Sequence, residues 1–136
     1  MREIALQSDI VCPWHGVQLT TGQVVVCHGK RGESLQRVCV VGDDGKVTRS
    51  YGGQWGSDVG QLNYPRHLAV DKDSQFIFVA AQENNRVVLL SPTLEFVRYV
   101  TEGLPGPRRL YLHQPTRHLF VGQLSLRDSD ITVIQL

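Results

Sequence analysis

Three dipeptides hold the side chains in this chain that most suggest a binding site: Trp14-His15, Arg66-His67 and Arg108-Arg109. Each directly follows a proline, Pro13, Pro65 or Pro107. Guanidinium groups, imidazoles and an indole gathered in one place suit a phosphate, an acidic peptide or a stacked base. Left without a ligand, the same groups would be solvated or hydrogen-bonded surface residues. Arg86, after Asn84 and Asn85, is a further binding candidate, although a guanidinium there also suits hydrogen bonds to backbone carbonyls. Cys12, His15, Cys27 and His28 form the one grouping with a metal-like character. Their spacing fits no zinc pattern. A hairpin centred on Thr21-Gly22, with His15 roughly opposite His28, would send alternate residues to opposite faces. No metal and no cofactor is therefore expected. The acidic pairs Asp43-Asp44 and Asp71/Asp73 stand in tight turns, where Asp is locally favoured, and lack the spaced ligands of a calcium loop. No Gly-rich phosphate loop leads into a helix, and no Ser, His and Asp set stands in a nucleophile motif, so binding is expected rather than catalysis.

The elements that must position these residues are short strands. From Gln61 to Thr101 four apolar runs, around Leu68-Ala69-Val70, Phe76 to Ala80, Val87 to Leu90 and Phe96 to Val100, are separated by polar breaks. That is the pattern of a four-stranded antiparallel meander. The second and third runs are apolar throughout, and a strand apolar on both faces must be covered on both sides. The same unit recurs. Its starting prolines stand 52 and 42 residues apart, and the second spacing matches the roughly 40–45 residues of a four-stranded propeller blade. Gly29-Lys30-Arg31-Gly32 and Gly52-Gly53-Gln54-Trp55-Gly56 absorb the extra residues of the first unit.

The predicted fold is all-β: one domain over residues 1–136 made of three four-stranded antiparallel blades of a partial β-propeller. Blade one spans about 13–51, blade two about 65–101 and blade three about 107–136. Blade three reaches only a third strand, Ile131 to Ile134, before Leu136. Residues 1–7 read as a lone strand that completes a blade. Three blades cannot close a ring, since propellers use roughly four to eight. Strands ~17 Å long at ~4.8 Å spacing give each blade face roughly 300 Å². At ~25 cal/mol per Å², each bare face forfeits about 8 kcal/mol. The chain is thus expected either to be part of a longer propeller or to pair as a homodimer that closes a six-bladed ring. In that ring each N-terminal strand would finish the other copy's third blade.

The 136 residues carry a formal net charge of +1, which gives no bulk attraction to nucleic acid or membrane. No apolar run approaches the roughly 18–20 residues that span a bilayer, and the first residues show no apolar leader core. Three cysteines, Cys12, Cys27 and Cys39, are an odd number, as expected of reduced thiols in a cytoplasmic protein.

Blade two resembles an NHL-repeat blade. The stretches that carry the resemblance are Pro65-Arg66-His67-Leu68-Ala69-Val70-Asp71, Phe78-Val79-Ala80-Ala81 and Asn84-Asn85-Arg86-Val87, with an inter-blade linker like Tyr51 to Ser57. Blades one and three match in outline. His67 stands where the family usually has Gly, and Ala81 where it has Asp; His28 and Gly122 are the expected counterparts of Ala81. The resemblance implies a non-catalytic protein-binding module of the kind found at the C-terminus of tripartite-motif ubiquitin ligases, with single-stranded RNA as the alternative partner. The chain has no RING or B-box cysteine/histidine pattern, so any ligase link would run through a separate part.

Overall fold

The computed structural model describes residues 1–124 and 130–136. Among the described residues, eleven strands form three antiparallel sheets. The first holds β1 (Pro13–Gln18), β2 (Val24–His28), β3 (Leu35–Val41) and β4 (Val47–Gln54) in chain order. The second holds β5 (Pro65–Val70), β6 (Ile77–Ala81), β7 (Arg86–Leu90) and β8 (Phe96–Thr101). The third holds β9 (Pro107–His113), β10 (His118–Gln123) and β11 (Ile131–Gln135), with β11 at its edge. The stretch of the third unit between 124 and 130 lies outside the described residues. Inner strands β1, β5 and β9 lie side by side, so the sheets stack like pages bound at one edge.

Strand alternation supplies both seams. Val25, Cys27, Val38 and Val40 leave the first sheet on one face and meet Ile77, Val79, Val88 and Leu90 of the second. The opposite side chains of the second sheet, Phe78, Ala80 and Val87, meet Leu110, Leu119 and Val121 of the third. All five residues of β6 are buried, as a strand sealed on both faces requires.

One local device recurs ahead of each inner strand. Ile10, Leu62 and Leu104 each lie three residues before the starting proline, and all three are buried. The residue just before that proline is left-handed in every copy, with φ of 52° at Cys12, 59° at Tyr64 and 52° at Gly106. This reversal swings the linker over the end of the second strand, where Gly29, Gln82 and Leu124 donate backbone hydrogen bonds to Val11, Tyr64 and Gly106 at 3.1, 3.1 and 2.9 Å. The linker residue is thereby driven into the seam. Leu62 plugs the first seam and Leu104 the second.

Three expectations need correcting. Residues 1–7 form no strand: they run along the first sheet, where Gln7 N–H donates to the Gly45 carbonyl at 3.0 Å, and Leu6 packs with Ile10 over Val26, Cys39 and Val41. Gly45, at φ 76°, closes the β3–β4 hairpin, and a side chain there would collide with the Ala5 carbonyl. Pro13 pairs with His28 and His15 with Cys27, so His15 is not opposite His28. The residue paired with Pro107 is Gln123 rather than Gly122, so Gln123 is the counterpart of His28 and Ala81.

Truncation of a linker plug should loosen a whole seam. Leu62→Ala is expected to lower unfolding free energy by about 2–5 kcal/mol. Val59→Ala, at a site 60% exposed in the same linker, should change it by under about 0.5 kcal/mol in the same urea titration.

Candidate functional site

Each inner strand begins with the same irregularity. The register slips between Pro13 and His15 in β1, between Pro65 and His67 in β5, and opposite Gly122 and Gln123 in β9. A bulge leaves one residue unpaired and re-aims its side chain. Here the unpaired residues are Trp14, Arg66 and Arg108. The paired residues that follow, His15, His67 and Arg109, point along the stacking direction.

The two histidines form a ladder across the seams. Their rings stack with centroids 3.7 Å apart and planes 25° from parallel. Leu68 N–H donates to His15 Nδ1 at 3.3 Å, and Leu110 N–H donates to His67 Nδ1 at 3.1 Å. Each imidazole thus satisfies a backbone donor of the next sheet, and each must be neutral with its proton on Nε2. Burial, then the neighbouring His15 ring and the Arg109 guanidinium, push the His67 pKa down to about 4. Burial and Arg109 also lower that of His15.

Arg66 is held between aromatic rings. Its guanidinium carbon lies 4.3 Å from the Trp14 ring centroid and 5.0 Å from that of Tyr64, and Nη1 donates to the Tyr64 hydroxyl at 2.6 Å. Trp14 and Tyr64 meet edge to face at 5.6 Å, and Trp14 Nε1 donates to the Gly29 carbonyl at 2.8 Å. Tyr64 belongs to this cluster and was not singled out from sequence; its place directly before Pro65 was the available signal. Arg108 is half-buried and Arg109 exposed. The structure therefore brings Trp14, His15, Arg66, His67 and Arg109 into one row, with Arg108 at the equivalent bulge of the third sheet.

Arg86 stands apart from that row, on the third strand of its sheet. Its Nη2 donates to the Ser57 carbonyl at 2.5 Å and its guanidinium lies 3.9 Å from the Tyr99 ring centroid. Asn84 Nδ2 donates to the Gly56 carbonyl at 2.9 Å, and its Oδ1 accepts from Asn63 N–H at 2.7 Å. Asn85 Oδ1 accepts from Gly106 N–H at 3.0 Å. The Asn84-Asn85-Arg86 run thus clips the linkers on both sides of the second sheet. At the opposite end, Arg117 of the third sheet pairs with Asp71 of the second at 2.7 Å. Burial raises the Asp71 pKa, but hydrogen bonds from Arg117 and Gln114 outweigh it and hold the carboxyl below its usual range.

The grouping of Cys12, His15, Cys27 and His28 does not converge. His15 and Cys27 share one face of the first sheet, while His28 points to the other and accepts a hydrogen bond from Arg37 Nε at 2.8 Å. Burial pushes the Cys27 thiol up to about 12 and that of Cys39 to about 11. Among the described residues no three His, Cys, Asp or Glu side chains are placed to hold a metal ion.

No protein-family model matches the chain, and no curated protein matches it. Solved structures do. Hydrazine synthase of Kuenenia stuttgartiensis superposes with a TM-score of 0.70 at 16% identity, over 99% of this chain and 36% of that one. Virginiamycin B lyase of Staphylococcus aureus gives 0.64 at 17% identity, over 99% and 45%. A Bacteroides caccae protein of unknown function gives 0.54 at 13%, over 88% and 44%. The three sheets are blades of a β-propeller. At such identities the likeness carries the fold alone. The chain spans less than half the length of each of these structures.

The histidine ladder makes propeller stability pH-dependent. His67 titrates near 6.5 when unfolded and about 4 when folded. Between those values the unfolded chain binds a proton that the folded chain refuses, so stability is full above the upper value and falls as pH drops through the window. In thermal melts across it, His67→Asn, which keeps an acceptor near the Nδ1 position and does not titrate, should show a flatter decline than the native chain.

Proposed function

We propose that this propeller segment is a non-catalytic binding module of NHL type that holds an acidic stretch of a protein partner at the rim of its inner strands. The observation that carries this reading is the shared bulge. It sets Trp14, Arg66 and Arg108 at equivalent points and leaves the exposed Arg109 guanidinium beside them. Carboxylates meet guanidinium groups through short, charge-assisted hydrogen bonds, each worth roughly 1.5–3 kcal/mol. His15 and His67 in this row are neutral, so its positive charge comes from arginines that stay charged at all physiological pH values. NHL type is supported by blade two, where the resembling Asn84-Asn85-Arg86 run clips both linkers. A ubiquitin-ligase scaffold would be a setting for such a module through a separate RING-bearing part. A cytoplasmic setting accords with three thiols that form no disulfide.

Protein is favoured over single-stranded RNA because the rings in the row are partly engaged: Tyr64 is 7% exposed, and Arg66 covers a face of Trp14, which is 36% exposed. A base would have to displace Arg66 to stack on the covered Trp14 face. Fluorescence anisotropy with a labelled polyglutamate peptide tests the proposal. Arg108→Glu with Arg109→Glu should weaken binding by at least roughly tenfold while leaving the melting curve cooperative. Undiminished binding by that variant overturns it, as does tighter binding of polyuridine with a steep loss between about 50 and 200 mM salt.

A further inference from the structure

Each rung of the histidine ladder has an outward edge that the fold does not use. Leu68 N–H donates to His15 Nδ1 at 3.3 Å and Leu110 N–H to His67 Nδ1 at 3.1 Å, so both rings keep their proton on Nε2. The rings bear the same relation to the next blade, and they stack 3.7 Å apart with planes 25° from parallel. Their Nε2–H bonds therefore run in the same sense, one above the other. Among the described residues neither Nε2 has a hydrogen-bond partner, and both rings are only half-buried, so the pair of donors is open to a ligand. The first and second seams alone build this pair, and both lie within the described residues.

The tautomer decides what such a pair can hold. A metal ion needs the Nε2 lone pair, and here that nitrogen carries the proton. Giving it up would leave an imidazolate or cost the bond to the next blade. Two N–H donors call instead for an acceptor. Arg109 adds charge, since its guanidinium lies close enough to help lower the pKa of both rings. One positive charge balances a monoanion, whereas a phosphate dianion would leave a negative charge over in a half-buried setting. Two donors side by side match the two oxygens of one carboxylate, as the fork of a guanidinium does.

We propose that His15 Nε2–H and His67 Nε2–H grip a single carboxylate, with the Arg109 guanidinium as its counter-charge. For its occupant the inference rests on the acidic-partner reading of the rim: one Asp or Glu side chain of that partner enters the pair, while residues beside it meet Arg66 and Arg108. It gives the two histidines a ligand contact that their role between blades does not require.

Imidazole NMR signals of the full chain, followed at neutral pH during titration with acetate at fixed ionic strength, test the proposal. Proton–nitrogen correlations should show the Nε2–H tautomer at His15 and His67, and acetate should shift both sets of signals saturably. His113 and His118, whose Nδ1 atoms meet the Thr116 hydroxyl at 2.8 and 2.7 Å, are internal references that stay in place. His15→Asn with His67→Asn keeps an acceptor near each Nδ1 position and deletes both outward donors. That double variant should bind an amidated polyglutamate peptide roughly tenfold or more weakly, with a cooperative melt retained. Should it fail to fold, His67→Asn alone serves, with a loss of roughly threefold or more expected. An Nδ1–H tautomer at either ring overturns the proposal, as does an acetate response no larger than that to chloride. A tighter response to inorganic phosphate overturns the carboxylate assignment. Polyglutamate held equally by native and variant chains overturns this inference and leaves the rim reading standing, whereas polyglutamate that the native chain does not hold overturns both.

Discussion

A sheet of four short strands that is apolar on both faces cannot stand in water alone, and the rest of this molecule follows from that constraint. Each blade is too thin to have an interior of its own. The core exists only between blades, in seams where Val25, Cys27 and Val38 meet Ile77 and Val79, or Phe78 and Val87 meet Leu119 and Val121. Stability is then a sum over neighbouring pairs, as in other repeat architectures. The middle blade is satisfied twice. The outer two are satisfied once, apart from the cover that Leu6 and Ile10 lend to blade one.

The same stacking builds the rim. Seams bring the inner strands close enough for an imidazole on one blade to accept from a backbone N–H on the next, and the bulge after each starting proline turns the residue that follows it out of the ladder. Polar groups at this rim therefore divide by position. The residues in register, His15 and His67, are committed to joining blades and kept neutral by burial. The residues on the bulges, with Arg109, carry the ring and cationic chemistry. Blade three has Arg109 where the other two have histidine, and arginine has no lone pair to accept a backbone donor. The ladder stops where the sealed seams stop.

The linkers are the third consequence. One apolar side chain from each linker fills a seam, Leu62 the first and Leu104 the second. The left-handed residue before each proline aims that side chain, and Asn84, Asn85 and Arg86 hold the linkers in place through backbone carbonyls and amides. Arg86, which from its chemistry alone suggested ligand binding, is thus engaged by the fold itself.

What the sequence by itself determined was local and periodic. The spacing of Pro13, Pro65 and Pro107, the runs apolar on both faces, and the Asp43-Asp44-Gly45 turn reveal three meanders that need covering, because these patterns repeat within a few residues and report burial directly. Tertiary structure decided whatever depends on a one-residue shift or on a neighbour distant in the chain. The register of the β1–β2 hairpin set His15 opposite Cys27 rather than His28, and the bulge in β9 set Gln123 against Pro107. The stacking of His15 on His67, the Arg66 clamp and the course of residues 1–7 over blade one arise between segments tens of residues apart. Strand alternation has a period of two, so a single slipped residue exchanges the faces of a blade. No composition or spacing records that slip until the neighbouring strand is in place.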